Sequence, residues 1–166
     1  MEMLEAIKTL EGLAENPTEG LPEDLFSFIS SITPMINVDL LIKDEKKRTL
    51  LTWRNDDMGY IGWHIPGGII RYKETAENRI NAVAKNELGT KVNFSKEPIC
   101  IREICIPPRR RGHFISLLYK CSCIAPLNPN LEYKGGELKK GQWAWHDQTP
   151  DDIIDVHLVY KDFIDG

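Results

Sequence analysis

The sequence lacks the features that mark membrane-spanning, duplex-binding and exported proteins. None of its apolar runs reaches the roughly 18 residues that a membrane-spanning helix needs. Basic residues number 21 and acidic residues 25, a net charge of −4, so the positive surplus typical of duplex-binding proteins is missing. The first residues have neither the basic start nor the apolar stretch of a signal peptide. We therefore expect a cytoplasmic protein that binds neither nucleic acid nor membranes.

Cysteine is scarce and confined to one central stretch. The four cysteines are Cys100, Cys105, Cys121 and Cys123. Their spacing differs from the Cys-x-x-Cys pattern of zinc sites, and cytosolic thiols normally stay reduced. The apolar neighbours of these residues favour free thiols that serve as small core side chains, over a disulfide framework or a zinc site.

The length and composition predict one folded domain with a short appendage. The chain has 166 residues, of which 42% are hydrophobic, enough for a packed core. Apolar residues at helical spacing over 1–15, and a second helix start at Pro22, predict an N-terminal helical extension over 1–30. This extension either packs on the main domain, 31–166, or forms a dimerisation arm, and we expect a homodimer.

From residue 33 onward, strand patterns alternate with helix patterns. We predict a hairpin from the strands 35–42 and 49–53, then further strands at 99–106, 114–124 and 143–145. Helices are predicted at 75–88, which Gly89 would end, and at 151–163. The predicted fold class is α/β (α+β), a mixed β-sheet sandwiched between helices.

The predicted helix 75–88 carries a carboxylate in an unusual place. Its apolar stripe consists of Ile80, Val83, Ala84 and Leu88, and Glu87 falls near the middle of that stripe. An unpaired carboxylate on a buried face is costly, so an arginine, a proton or a metal ion must compensate it. An ordinary salt bridge at the helix end is the alternative interpretation.

Two adjacent glycines precede this helix. Gly67 and Gly68 follow Pro66, and five residues separate Gly68 from Glu74. Paired glycines let backbone carbonyls approach a ligand, because no Cβ stands in the way. A loop carbonyl together with Glu87 would form an oxygen site suited to Mg²⁺, which takes few protein ligands.

The spacing of Gly68, Glu74, Glu87 and Gly89 resembles the signature of the Nudix hydrolases. Three signature positions differ: Ala82 replaces an arginine, and Val83 and Asn86 replace glutamates. Over residues 33 to 163 the chain resembles the GDP-mannose mannosyl hydrolase branch, which also keeps a single helix carboxylate. The segments that carry this resemblance include Trp63-His64-Ile65-Pro66-Gly67-Gly68, Glu87-Leu88-Gly89 and Asp155-Val156-His157.

The resemblance implies a metal site and an activity. In that branch one Mg²⁺, for which Mn²⁺ is an alternative, would be held by Glu87, the Gly68 carbonyl and a late-loop residue. The branch has a Gln-His pair in that loop, where this sequence has Lys139-Lys140. Lysine is a poor base at neutral pH, so Glu137 is the predicted replacement as metal ligand or catalytic base. The implied reaction releases GDP and a free sugar from a nucleoside-diphosphate sugar.

The same resemblance assigns substrate contacts. Asp39 and Arg54 align with substrate-binding residues, with Arg54 also in a catalytic role, whereas a capped strand end and a solvated arginine are the alternatives. The basic loop tip Arg109-Arg110-Arg111 could as a group meet a phosphate or a nucleobase, because guanidinium groups bind oxyanions and stack on rings, and Arg109 and Arg110 are the candidates taken from it. A solvated hairpin end is also consistent. Alternative functions are a pyrophosphohydrolase of another nucleoside diphosphate derivative and a non-catalytic nucleotide-binding domain. The remaining histidines, His113, His146 and His157, are predicted to be surface or packing residues.

Overall fold

A computed structural model describes residues 2–56 and 59–166, which form eight strands and four α-helices. The helices α1 (Met3–Leu13) and α2 (Glu23–Ile29) come first, and the last element is α4 (Lys161–Asp165). Between them lie β1 (Met35–Ile42), β2 (Thr49–Asn55), β3 (Ile61–His64), β4 (Gly67–Ile69), α3 (Ala76–Leu88), β5 (Val92–Phe94), β6 (Cys100–Cys105), β7 (His113–Cys123) and β8 (Trp143–His146). The predicted mixed α+β class is confirmed.

The strands form two separate sheets. The larger has the order β4-β1-β7-β5, with β6 also paired to β7, and it is mixed because β1 runs parallel to β7. The smaller has the order β3-β2-β8 and is antiparallel. The chain therefore passes from the larger sheet (β1) to the smaller sheet (β2 and β3) and back again (β4). Both sheets contribute residues to the space between them.

The predicted hairpin of β1 and β2 is wrong. Among the described residues, β1 pairs with β4 and β7, β2 pairs with β3 and β8, and an isolated bridge between Lys43 and Thr49 is all that joins the consecutive strands. Both strands carry continuous buried runs, over 38–42 and 49–52. Such runs are typical of central strands with partners on both edges. Because β1 and β2 each pair with two other strands, they lie in different sheets.

Helix α3 packs on the larger sheet as its apolar pattern predicts. Ile80, Val83, Ala84 and Leu88 are all buried. The Thr75 side chain caps the first turn by accepting from the Asn78 backbone N–H at 3.1 Å. At the other end Gly89 adopts φ 62°, the left-handed conformation that ends a helix most readily in glycine. The local sequence thus fixes both ends of the helix that presents Glu87.

The N-terminal extension is attached through α2 rather than α1. No residue of α1 is buried, whereas α2 buries Leu25.

The described residues contain no helix long and apolar enough to cross a membrane.

The predicted helix over 151–163 begins later and is mostly a 3₁₀ turn. Its 3₁₀ part covers Asp155–Tyr160, and only α4 is α-helical. The backbone before it is held against β3, because Trp63 N–H donates to the Asp152 carbonyl and Ile154 N–H donates to the Trp63 carbonyl, each at 2.9 Å. These bonds keep 152–154 extended, so a helix can start only after them.

Candidate active site

A cavity of about 460 Å³ lies where the two sheets meet. Four residues predicted from the sequence line it, each from a different element: Asp39 on β1, Arg54 on β2, Gly68 on β4 and Glu87 on α3. The predicted residues Glu137, Arg109 and Arg110 do not line it. The cavity wall also contains Thr52, His64, His157 and Phe26, for which the sequence predicts no binding role, and Arg111, which is predicted only as a member of the basic loop tip.

Asp39 is a buried acid at the inner end of this cavity. Its side-chain Oδ2 accepts hydrogen bonds from Asn37 Nδ2 at 3.1 Å, from the Tyr160 hydroxyl at 3.0 Å and from the Ser116 hydroxyl. The residue is 2% exposed, and burial raises its pKa to about 6 despite these three donors. A capped strand end on the surface does not describe this residue, because its carboxylate is desolvated and held in place.

The remaining oxygen of Asp39 lies against Gly67. A Cβ at position 67 would come within 2.2 Å of Asp39 Oδ1 and within 2.7 Å of the Val38 carbonyl oxygen. Both separations are shorter than a Cβ can have from a non-bonded atom, so only glycine fits at this position. The first glycine of the pair is therefore required by close packing rather than by an unusual backbone angle.

Glu87 is the second acid of the cavity. Burial raises its pKa to about 8, and repulsion by Asp39 raises it further, whereas Arg54, the Thr52 hydroxyl and the Gly67 backbone N–H act in the opposite direction. The predicted salt bridge at the helix end is absent, since no lysine or arginine among the described residues forms an ion pair with Glu87. The carboxylate lacks a compensating positive charge.

Two histidines of the cavity are held neutral. His64 Nδ1 lies 2.8 Å from the Thr52 carbonyl oxygen, which assigns the ring proton to Nδ1 and leaves Nε2 with a lone pair. His157 Nδ1 accepts from the Ile65 backbone N–H at 3.0 Å. Burial lowers the pKa of each histidine to about 3. The prediction that His157 is a packing residue is incomplete, because it also lines the cavity.

The other two histidines lie elsewhere. His113 Nε2 is 3.1 Å from Glu103 Oε1 at the surface, and the His146 ring packs edge-on against Trp63 with centroids 4.6 Å apart. His64 could have been found from the sequence, because it directly precedes Ile65-Pro66-Gly67. Nothing in the sequence around His157 distinguishes it from His113 and His146.

Two arginines near the cavity form ion pairs. Arg54 forms an ion pair with Asp56, and its guanidinium lies 4.6 Å from the centre of the Tyr60 ring. Arg109 pairs with Asp155 at 2.9 Å and lies 4.7 Å from the same Tyr60 ring, so it contacts the cavity wall from outside.

The predicted loop residues have different surroundings. Arg110 borders a separate, smaller hollow between the start of β1 and the β6–β7 turn. Glu137 is exposed, while Lys140 and Gly141 of the same loop line the cavity. The roles predicted for Arg110 and Glu137 remain predictions without support from the arrangement of the cavity.

Strand register decides which glycine carbonyl is free. Leu40 N–H donates to the Pro66 carbonyl and Ile70 N–H donates to the Ile36 carbonyl, each at 2.9 Å. Alternation along an antiparallel ladder makes Val38 and Gly68 the hydrogen-bonded pair between these bonds. The Gly68 carbonyl is thus directed toward β1, and the backbone groups of Gly67 point away from it, on the side of Glu87.

Comparisons with known proteins agree with this architecture. No family model matches the chain. Over 81 residues it is 34% identical to the low-salt glycan biosynthesis protein Agl8 of Haloferax volcanii, covering 49% of this chain and 51% of that protein. The match spans about half the length of this curated relative.

Solved structures resemble a larger share of the chain. A NUDIX-family hydrolase from Clostridium perfringens superposes with a TM-score of 0.56 at 18% identity, covering 81% of this chain and 95% of that one. The MutT protein of Methanosarcina mazei Go1 superposes with a TM-score of 0.58 at 17% identity, with the same coverages. The chain has the Nudix fold.

Within this Nudix fold, α3 offers the cavity a single carboxylate. Val83 is buried, and its Cγ2 would meet a Cβ at Gly68 at 3.0 Å, so this position serves packing. Asn86 is exposed. Glu74 binds Arg79 at 2.7 Å and accepts from the Arg71 backbone N–H at 2.9 Å, so it secures the loop before the helix.

The oxygen atoms around Asp39 and Glu87 suit a hard divalent cation. The buried Asp39 and the half-buried Glu87 repel each other, the Gly67 carbonyl is free of the ladder, and Asn37 Oδ1 is buried without a hydrogen-bond partner. Oxygen donors of this kind are those preferred by Mg²⁺ and Mn²⁺. No group of three or more His, Cys, Asp or Glu able to hold a metal occurs among the described residues, so a metal here would need carbonyl oxygens, water or substrate as further ligands.

Proposed function

We propose that the protein is a divalent-metal-dependent hydrolase of a nucleoside-diphosphate sugar resembling GDP-mannose, which releases GDP and the free sugar. The observation that carries this proposal is the pair of mutually repelling carboxylates, the buried Asp39 and the half-buried Glu87, in one cavity with Arg54. A substrate with a charged diphosphate and its metal would neutralise both kinds of charge. The Nudix fold and the glycan-biosynthesis relative support a phosphate-linked sugar as the substrate class.

The residues that would hold Mg²⁺, or Mn²⁺, are Glu87 and the Gly67 carbonyl, with Asp39 and Asn37 Oδ1 beside them. Gly67 replaces Gly68 in this proposal because the Gly68 carbonyl is directed into the sheet. Such an ion supplies electrostatic stabilisation of the negative charge that develops on the diphosphate leaving group. Without an ion, the Glu87 carboxyl is protonated or its negative charge is destabilised. Binding of the ion would therefore be coupled to loss of the Glu87 proton.

Asp39 is the proposed proton acceptor for the attacking water. With a pKa of about 6 it is ionised at neutral pH yet basic enough to take a proton, unlike His64, whose pKa is about 3. Its Oδ2 is occupied by three donors, which fixes the orientation of the carboxylate. Oδ1, which lies against Gly67, remains for the water.

Arg54 is the proposed contact to the diphosphate. It lies close enough to lower the pKa of Glu87, of His64 and of His157 by its positive charge. Its ion pair with Asp56 and its contact with Tyr60 hold the guanidinium at the cavity wall. A cation fixed in this way stabilises negative charge without reorganising during the reaction.

The single carboxylate of α3 also favours a second candidate, a nucleotide-binding domain without hydrolytic activity. Incubation of the protein with Mg²⁺ and a panel of nucleoside-diphosphate sugars, followed by product identification, separates the possibilities. GDP and free sugar support the proposal. GMP and a sugar phosphate would replace it by pyrophosphohydrolysis, and tight binding without turnover would favour the binding domain.

A further inference from the structure

Arg54 and Arg111 are the two arginines of the cavity wall, and they differ in their partners. Arg54 is paired with Asp56, whereas Arg111 forms no ion pair among the described residues. Its Nε is buried and has no hydrogen-bond partner. A buried guanidinium donor left unsatisfied costs free energy, and an oxyanion is the ligand that satisfies it best.

The N-terminal extension holds this guanidinium in place. The Arg111 guanidinium lies 4.3 Å from the centre of the Phe26 ring, and Phe26 belongs to α2. Both residues line the cavity. The aromatic face stabilises the cation and excludes water from one side of it.

Charge separates the two ends of the cavity. Asp39 and Glu87 form the acidic end, and Arg54 acts electrostatically on Glu87. Burial lowers the pKa of Arg111 and repulsion by Arg54 lowers it further, whereas attraction by Asp56 and Glu23 acts in the opposite direction. Arg54 is therefore within electrostatic range of the acidic end and of Arg111. A diphosphate whose one phosphate lies with a metal at Glu87 would need a second cation for its other phosphate.

We propose that Arg111 is a substrate-binding residue that takes a phosphate oxyanion of the substrate, with Phe26 of the N-terminal extension as its positioning residue. The proposal rests on the proposed function for the identity of the phosphate compound. It makes the extension a part of the site. It also distinguishes Arg111 from its neighbours Arg109, which is paired with Asp155, and Arg110, which borders another hollow.

The first test compares R111A with the matched control R102A, because each removes one positive charge and Arg102 is exposed on β6, outside the cavity wall. Isothermal titration calorimetry in Mg²⁺ with inorganic pyrophosphate, GDP and guanosine measures binding without a chemical step on the sugar. We expect R111A to weaken pyrophosphate and GDP at least about tenfold, R102A to change them less than about twofold, and guanosine to be unaffected.

Three results would overturn the inference. They are equal effects of R111A and R102A, an equal weakening of guanosine and GDP in R111A, and no binding of pyrophosphate to the wild type. Failure of the proposed function looks different: wild-type protein would bind pyrophosphate and lose that binding in R111A, yet hydrolyse no nucleoside-diphosphate sugar.

The second test examines Phe26 as a positioning residue. F26L keeps an apolar side chain without an aromatic face, F26Y restores the face, and F28L is the control because Phe28 is 42% exposed on the same helix and is not part of the cavity wall. We expect F26L to weaken pyrophosphate binding by about three- to tenfold, with F26Y and F28L near wild type. Equal affinities of F26L and F28L, with unchanged melting curves, would contradict the positioning role.

Discussion

Glu87 and His64 face each other in the cavity, with Glu87 Oε2 lying 3.8 Å from His64 Nε2. The contact is not an ion pair at neutral pH, because the pKa of Glu87 is raised to about 8 and that of His64 is lowered to about 3. The hydrogen bond from His64 Nδ1 to the Thr52 carbonyl turns the lone pair of Nε2 toward the acid. The two side chains are thus uncharged partners at neutral pH.

This relationship predicts a loss of stability as the pH rises from 6.5 to 8. Folded Glu87 keeps its proton up to pH 8 whereas the unfolded residue loses it near 4.5, so unfolding releases a proton and higher pH favours the unfolded state. We expect the free energy of unfolding to fall by about 1–2 kcal/mol over this window, allowing for the partial exposure of the side chain. Urea titrations without divalent ions measure it.

The control is E87Q, which removes the titrating group. Its stability should stay level between pH 6.5 and 8 and exceed that of the wild type at pH 8. Below pH 6.5 the neutral His64 and His157 act in the opposite direction, because the unfolded chain takes up their protons as the pH falls. A wild-type slope that E87Q retains would assign the effect to another group.

The same substitution should abolish most of the activity. E87Q removes the proposed carboxylate ligand, and we expect kcat/KM on the preferred nucleotide sugar to fall at least about 100-fold. The matched control is E77Q, an exposed acid on the same helix, which should remain within about twofold of wild type. Activity of E87Q equal to that of E77Q would remove Glu87 from the metal site.

Tyr160→Phe should alter the pH profile rather than the fold. The Tyr160 hydroxyl donates to Asp39 Oδ2 at 3.0 Å and lowers the pKa of that acid, so its removal raises the pKa further above its usual range. Because the proposed base must be ionised, the acid limb of kcat/KM should move to higher pH by about 0.5–1 unit. The control is Y119F, in a buried tyrosine outside the cavity wall, which should leave the limb in place.

Gly67→Ala should destabilise the protein and impair the site together. The added Cβ would collide with Asp39 Oδ1 and with the Val38 carbonyl, neither of which can move freely. We expect a loss of about 2 kcal/mol or more in the free energy of unfolding, by urea titration. Gly12→Ala in α1, where nothing lies within 4 Å of the new Cβ, should be neutral or stabilise slightly.

Dimerisation through α1 is also expected. The helix buries no residue, and its exposed apolar side chains are Met3, Leu4, Ile7, Leu10 and Leu13. Deletion of residues 1–15 keeps Phe26 and should convert a dimer into a monomer, as measured by light scattering with size-exclusion chromatography. A deletion variant with the oligomeric state of the full chain would contradict this expectation.

The sequence predicted those parts of the site that depend on local pattern. The helical stripe of α3, its end at Gly89 and the inward position of Glu87 all follow from spacing along a single helix. Pairing between distant segments does not follow from local pattern. Nothing in the sequence near β1 shows that it pairs with β7, where Ser116 lies 79 residues after its partner Asn37. The hairpin prediction failed for that reason.

The same limit applies to the individual cavity residues. Asp39 was found through resemblance, but its buried contacts with Ser116 and Tyr160 join three distant segments. In sequence His157 resembles the other histidines, and Arg111 cannot be told from Arg109 and Arg110 beside it, because they differ only in where the fold places them. Phe26 carries no polar group at all, so its contact with Arg111 could be found only in three dimensions.

The separation of charge inside the cavity also gives it a direction. Lys140 is exposed, Arg54 and Arg111 are partly exposed, and Asp39 is almost wholly buried, so the electrostatic potential changes sign from the opening to the interior. Under the proposed function, an anion arriving alone would be attracted at the opening and repelled by Asp39 in the interior, whereas an anion carrying a divalent cation would be attracted along the whole path. Such a cavity would favour metal-complexed phosphates before any hydrogen bond to the substrate forms.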